Sequence, residues 1–151
     1  MLYTSTRDKN VKVSSAQAIA QGISKDGGLF VPTEIPAISK EFIDSLVPLS
    51  YIERAKKILA LYLTDYTAEE LDMCVSGAYA EGKFSSEKVS PIKRTADGKN
   101  ILELWRGPTC AFKDMALQLL PYLLTTAAKK TVADKTIVIL VATSGDTGKA
   151  A

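Results

Sequence analysis

The sequence contains no histidine among its 151 residues, and this excludes several kinds of enzyme site. Catalytic triads with an imidazole base and zinc sites of the HExxH type both need that side chain. Cysteine is scarce as well, since only Cys74 and Cys110 are present and they lie far apart. The CxxC pairs of zinc ribbons and of thioredoxin-like redox sites are therefore excluded. Two separated thiols indicate a reducing compartment, and we expect a cytoplasmic protein without a metal site.

Long apolar runs and an excess of one charge are also lacking. The longest apolar run covers residues 137–142, which is far too short to cross a bilayer. The 19 Lys and Arg nearly balance the 17 Asp and Glu, so the charge does not predict nucleic-acid binding. We therefore expect neither a membrane nor a nucleic acid as a partner. With 46% hydrophobic residues, the chain can still bury a core without disulfides.

The first half of the sequence is rich in signals for the start of a helix. Ser14 and Gln17, Ser50 and Glu53, and Thr67 and Glu70 each have the spacing of a capping box. Apolar residues follow the last two pairs at helical spacing, and such stripes are more often core than a cofactor site. We predict a mostly helical N-terminal domain over residues 1–87, with short extended segments at 2–4 and 29–31.

The second half has a different pattern, in which β-strands alternate with helix. Residues 101–105 and 136–142 are predicted strands, and residues 112–130 a helix that Pro121 should kink or split. This order predicts a parallel βαβ unit with a right-handed crossover, and so a partial α/β domain over residues 88–151. A parallel strand needs neighbours on both sides, so we expect this chain to be the front piece of a longer protein.

Lys113 is the first candidate for chemistry, since it opens a predicted helix directly after a strand and a loop. The positive end of the helix dipole and the apolar Phe112 both disfavour a charged ammonium there. A lysine that attacks a carbonyl must be neutral, so this position suits a cofactor lysine. The alternative is a surface lysine paired with Asp114.

The second candidate is the loop at residues 144–148, between a predicted buried strand and a helix. Free backbone N–H groups at such a position bind a carboxylate or a phosphate. The alternative is an ordinary helix cap formed by Asp146 or Thr147. A nucleotide-binding P-loop does not fit, because Thr143 and Ala150 replace residues that it requires. Upstream of Lys113, a Gly-Pro turn carries Arg106 and Thr109, which could contact a substrate anion or could be structural.

Three separated motifs resemble the threonine synthase family and span nearly the whole chain. They read YTSTR, SAQA and DGGLFVP in residues 3–32, LWRGPTCAFKDMALQ at 104–118, and ATSGDTG at 142–148. The resemblance implies a tryptophan-synthase-β-like fold that uses pyridoxal 5′-phosphate (PLP). It further implies a carbon–oxygen lyase that acts on phosphate, converting O-phospho-L-homoserine and water into L-threonine and phosphate.

The same resemblance implies roles for individual residues. Lys113 would hold PLP covalently and later move protons at the substrate Cα and Cβ. The substrate-binding residues would be Ser144, Gly145 and Thr147, with Arg106 and Thr109 as further contacts, and Asp146 would lie near the cofactor's ring hydroxyl. Many family members have histidine in place of Arg106 and an aliphatic residue in place of Cys110.

The family's glycine-rich loop for the PLP phosphate comes later in the chain than these motifs and is not in this sequence. We therefore expect this piece by itself to be inactive and to bind PLP weakly or not at all. Two alternatives stay open. One is another PLP-dependent β/γ-eliminase, such as threonine dehydratase. The other is an inactive folded module that associates with a partner, or with itself, through an exposed sheet edge.

Overall fold

The computed structural model describes residues 1–132, 136–143 and 145–150. Over these residues the chain forms seven helices and two small sheets, and this mixture agrees with the predicted α/β class. No helix in this part is long and apolar enough to cross a membrane. Ser144 lies outside the described residues.

The chain begins with a two-stranded antiparallel sheet made of β1 (Tyr3–Ser5) and β2 (Phe30–Pro32). The turn before β2 is fixed by Asp26, whose Oδ1 accepts hydrogen bonds from Ser5 Oγ at 2.9 Å and Gly28 N at 2.8 Å. Both predicted extended segments are thus present, each shifted by one residue toward the C-terminus.

Four helices provide most of the regular secondary structure in the first half. They are α1 (Ser15–Gln21), α2 (Lys40–Leu46), α3 (Tyr51–Tyr62) and α4 (Ala68–Ala78). Full capping boxes open α3 and α4, where serine or threonine and glutamate satisfy each other's backbone N–H groups. At α1 only one of the two bonds of a capping box forms, in which Gln17 N donates to Ser14 Oγ.

A second hairpin, rather than a parallel unit, follows the helices. Strands β3 (Ile92–Arg94) and β4 (Asn100–Leu102) pair antiparallel around a turn at Gly98, whose φ of 82° suits glycine. The predicted strand at 101–105 is therefore only partly present. Residues 136–142 are not a strand in this structure, and among the described residues no strand lies beside them. Strand hydrogen bonds come from a neighbouring strand, so an apolar run alone does not make one.

The predicted helix around Pro121 is split into α5 (Asp114–Leu117) and α6 (Leu120–Thr131). Pro121 lies in the first turn of α6, where its missing N–H costs no helical hydrogen bond. A short helix, α7 (Asp146–Ala150), follows the second candidate loop.

The core is formed between helices of both halves of the chain. Helix α6 packs against α1 and α4, and Tyr66 OH donates to Leu123 O in α6 at 2.9 Å. Cys74, Val75, Ala78 and Ala127 are fully buried at this contact. Helix α6 thus completes the core of the helical part, although the predicted domain boundary at residue 87 precedes it. That boundary stays a prediction.

Candidate active site

Lys113 lies at the N-terminal end of α5, as the sequence predicts. Its backbone carbonyl accepts hydrogen bonds from Ala116 N at 3.0 Å and Leu117 N at 2.8 Å, which fixes the backbone at the start of the helix. The half-buried side chain places Nζ 4.1 Å from the centre of the Phe112 ring. The face of an aromatic ring attracts a cation at this distance, so Phe112 is more than the purely apolar neighbour that the sequence suggests.

Asp114, the next residue, is fully buried and turned toward the preceding loop. Its two carboxylate oxygens each accept one hydrogen bond from Thr109, from the backbone N–H at 2.8 Å and from the hydroxyl at 2.7 Å. Within the part of the chain that the structure describes, Lys113 and Asp114 do not form an ion pair. The geometry therefore does not favour the alternative of a surface pair between these two residues.

Gly107 allows the loop to come close to Asp114. A Cβ at residue 107 would overlap the Asp114 side chain and lie 2.7 Å from its Cγ, so the approach requires glycine. Three residues on, Cys110 has a φ of 60°, and its N–H donates to Gly107 O at 3.1 Å. The exposed Cys110 thus occupies a tight turn of the backbone, directly upstream of Lys113.

Arg106 is engaged by a buried carboxylate. Its Nε donates to Glu103 Oε2 at 2.7 Å, a second guanidinium nitrogen contacts the same oxygen, and Glu103 is only 6% exposed. The carbonyl of Arg106 also accepts a hydrogen bond from Ser85 N at 2.8 Å. Arg106 therefore has a structural partner in Glu103, and Thr109 has one in Asp114. Neither contact involves a substrate.

The second loop is organised by Thr143, a residue that the sequence did not mark as functional. Its hydroxyl oxygen accepts hydrogen bonds from Gly145 N and Gly148 N, each at 3.1 Å. Gly145 has a φ of 129°, and its carbonyl accepts from Lys149 N at 2.8 Å. Asp146 begins α7 and is exposed to solvent. The sequence signal for such a cap is a hydroxyl residue two positions before a glycine, as Thr143 is before Gly145.

The two candidate loops meet at a hydrogen bond, and a cavity lies beside the second of them. Lys149 Nζ donates to Thr109 O at 3.2 Å, which joins the start of α7 to the loop before Lys113. A cavity of about 280 Å³ lies alongside, lined by residues of α5, α6, the 139–143 segment and Thr147. The walls are largely apolar, with Leu117 and Pro121 on one side and Thr147 on the other. The two motifs, although distant in sequence, are adjacent in space.

Tyr79, the residue after α4, contacts α5. Its hydroxyl donates to Met115 O at 2.6 Å, and its ring packs edge-on against Tyr51 at 4.9 Å. Burial, with a smaller effect of Tyr51, raises the pKa of Tyr79, so the phenol stays protonated as a donor. In the described ranges no group of acidic, cysteine or histidine side chains could hold a metal ion.

Comparison with known proteins gives a consistent result. The family model described as threonine synthase N terminus matches residues 2–79. Threonine synthase of Schizosaccharomyces pombe is 37% identical over 157 residues, covering 99% of this chain and 30% of that protein. The chain thus spans between 18% and 32% of the length of curated relatives that it matches.

Solved structures agree with the sequence comparison. The crystal structure of threonine synthase from Escherichia coli superposes with a TM-score of 0.84 at 37% identity, covering 99% of this chain and 33% of that one. The PLP-bound threonine synthase from Brucella melitensis gives 0.79 at 34% identity, covering 86% and 28%.

Proposed function

Because the chain belongs to the threonine synthase family, we propose that it supplies the lysine-bearing part of a PLP-dependent lyase. The full-length protein would convert O-phospho-L-homoserine and water into L-threonine and phosphate. The observation that carries this proposal is the pairing of the Lys113 loop with the loop at 143–149 through the Lys149–Thr109 hydrogen bond. A reducing, cytoplasmic setting belongs to the same proposal and is supported by two cysteines that remain free thiols.

The residues present fit PLP by their chemistry. Lys113 offers a half-buried primary amine beside an aromatic ring. The start of α7 offers backbone N–H groups at Asp146 and Thr147, which lie between the two that bond to Thr143 Oγ1. A primary amine and donors for an anion are the two features that a phosphorylated aldehyde and an amino-acid substrate require.

PLP, when bound, withdraws electrons from the attached amino acid and so makes its Cα and Cβ protons removable. In this proposal the Lys113 amine accepts and returns those protons, which explains how a chain without histidine performs acid–base chemistry. Gly145, Thr147 and Ser144 would bind the substrate carboxylate, and Asp146 would interact with the cofactor's ring hydroxyl, as the family resemblance implies. The backbone bonds at Lys113 fix the point on α5 from which its side chain extends.

Arg106 and Thr109 stay predictions as substrate contacts. Their side chains already bond to Glu103 and Asp114, so a substrate would have to share or displace those bonds. Their supported contribution is to shape the loop that carries Lys113.

The test uses the full-length protein with added PLP. The wild type should develop the visible absorbance of lysine-bound PLP and release phosphate and threonine from O-phospho-L-homoserine. Lys113→Ala should abolish both signals. Lys83→Ala is the matched control, since Lys83 Nζ also lies over an aromatic ring, 5.0 Å from the centre of Tyr122. Full absorbance in Lys113→Ala would refute the assignment. Consumption of threonine instead of its production would favour threonine dehydratase.

A second candidate is a folded module that associates through an exposed sheet edge. It is favoured by apolar side chains on the second hairpin, where Ile92 is 68% and Leu102 51% exposed. Sedimentation of the 151-residue chain should then show a dimer that Ile92→Glu converts to a monomer. A monomeric wild type over the accessible concentration range would exclude this function, and tight PLP binding by the same chain would favour the enzyme.

A further inference from the structure

Asp114 has an unusual environment for a carboxylate. It is 0% exposed, and over the described ranges it has no cationic partner within ion-pair distance. Burying a charged carboxylate is unfavourable unless hydrogen bonds replace its water. Here both replacing bonds come from one residue, Thr109, at 2.8 Å and 2.7 Å. The cost of burial is thus offset by contacts to the loop before Lys113.

That loop is wrapped around the Asp114 side chain. Gly107 approaches so closely that any side chain there would overlap it. The hydroxyl of Thr109 also accepts a hydrogen bond from Ala111 N at 3.4 Å, and Asp114 N donates to Ala111 O at 3.0 Å. The backbone on both sides of Lys113 is therefore anchored to a single buried carboxylate.

Thr109 also connects the Asp114 side chain to the second loop. Its N–H and hydroxyl bond to Asp114, while its carbonyl oxygen accepts from Lys149 Nζ at 3.2 Å. The position of Thr109 is thus common to Lys113 on one side and to α7 on the other. A shift of Thr109 would therefore disturb both the backbone that leads into Lys113 and the contact to Lys149.

We propose that Asp114 is a positioning residue, which fixes the start of α5, and with it Lys113, through its paired hydrogen bonds to Thr109. This inference rests on the proposed function, since it concerns the lysine that would hold PLP. Asp114 does not itself touch cofactor or substrate. Its contribution is geometric. Loss of the two bonds should weaken PLP binding at Lys113 beyond what the loss of folding stability explains.

Asp65 provides a matched control in the same chain. Its carboxylate likewise accepts one bond from a hydroxyl, that of Ser15, and one from a backbone N–H, that of Ala16 at 2.9 Å. It anchors the start of α1 rather than the Lys113 loop. Removing either carboxylate should therefore destabilise the fold in a similar way, but only Asp114 should affect PLP.

The experiment titrates the full-length protein with PLP, reduces it with borohydride and quantifies the modified Lys113 peptide by mass spectrometry. Asp114→Ala should require about tenfold more PLP for half-labelling, and Asp65→Ala should stay within about twofold of the wild type. Asp114→Asn should recover part of the loss, because its amide oxygen still accepts from Thr109 N. If Asp114→Ala does not fold, Thr109→Val takes its place and should show a smaller shift in the same direction.

The outcomes separate the two claims. A wild type that never carries PLP on Lys113 refutes the proposed function itself. A wild type that does, together with Asp114→Ala labelled at the same PLP concentration, refutes only the positioning role. An equal loss in Asp65→Ala also refutes it, because general destabilisation would then explain the effect.

Discussion

The phenol of Tyr66 donates a hydrogen bond of 2.9 Å to the backbone carbonyl oxygen of Leu123, and both residues are buried. Tyr66 immediately precedes the cap of α4, whereas Leu123 lies in α6, 57 residues further along the chain. The bond therefore fixes the two halves of the chain to each other inside a shared apolar core.

Tyr66→Phe tests the strength of this connection. The substitution keeps the ring and removes only the donor, so we expect the free energy of unfolding to fall by about 1 kcal/mol. Urea denaturation followed by circular dichroism measures it. Tyr62→Phe is the control, since the hydroxyl of Tyr62 forms no hydrogen bond within the described part of the chain. An equal effect of both substitutions would contradict this reading.

Stability at alkaline pH should depend on the same phenols. Burial, as the largest cause, raises the pKa of Tyr66 and of Tyr79 above the ordinary value of 10.0. A raised pKa means that the stabilisation is complete below pH 10.0 and is lost as the pH rises above it. Denaturation midpoints should therefore decline above that pH, and less steeply in Tyr66→Phe. Parallel declines in the two proteins would count against the assignment.

Stability at acid pH should depend on Asp65. Burial alone would raise its pKa, but hydrogen bonds from Ser15 and Ala16 outweigh burial and lower it below the ordinary 3.8. A lowered pKa gives stabilisation that is complete above pH 3.8 and is lost as the pH falls below it. Asp65→Asn should flatten this acid decline and lower stability at neutral pH. The exposed Asp44→Asn should preserve the decline, and a flat profile there would overturn the assignment.

Gly107 should not tolerate alanine. The new Cβ would overlap the Asp114 side chain close to its backbone, where no rotation relieves it, so we expect a loss of about 1–3 kcal/mol. Gly148→Ala is the comparison. A Cβ added at residue 148 would lie 3.3 Å from its nearest atoms, on the side chains of Thr143 and Val141, and so would not overlap them. Thermal denaturation should rank Gly107→Ala clearly below Gly148→Ala, and the reverse order would exclude tight packing at residue 107.

Arg106→Ala should lower stability, and it also tests whether Arg106 contacts the substrate. It leaves the buried Glu103 without its partner, and we expect a cost of roughly 1–3 kcal/mol. Adding Glu103→Gln should restore part of it, because a neutral amide is easier to bury. In the full-length enzyme the KM for O-phospho-L-homoserine separates the two roles, because a purely structural Arg106 leaves KM unchanged. A raised KM with unaltered stability would instead support Arg106 as a substrate contact.

The helix starts could be predicted because their determinants are local. Ser50 with Glu53, and Thr67 with Glu70, satisfy each other's N–H groups within four residues. The split at Pro121 is equally local, since the ring fixes its own backbone and removes one donor. The same locality placed Lys113 at a helix start without knowledge of the rest of the fold.

Pairing between distant segments could not be predicted in this way. The run at 136–142 has the composition of an interior strand, yet pairing depends on a neighbour that composition does not specify. The role of Asp114 was also hidden. The sequence shows only that Asp114 is next to Lys113. Its contacts arise when the turn at Gly107 brings Thr109 back over the start of α5. Thr143 was overlooked because a hydroxyl cap resembles any loop threonine.

The packing of α6 against α1 has a consequence for synthesis of the protein on the ribosome. Helix α1 ends at Gln21, whereas α6 ends only at Thr131. The nascent chain therefore carries α1 and α4 with an open apolar face until α6 has left the exit tunnel. During that interval the side chains around Val75 are available to chaperones, and folding of this part is late and cooperative rather than stepwise from the first residue.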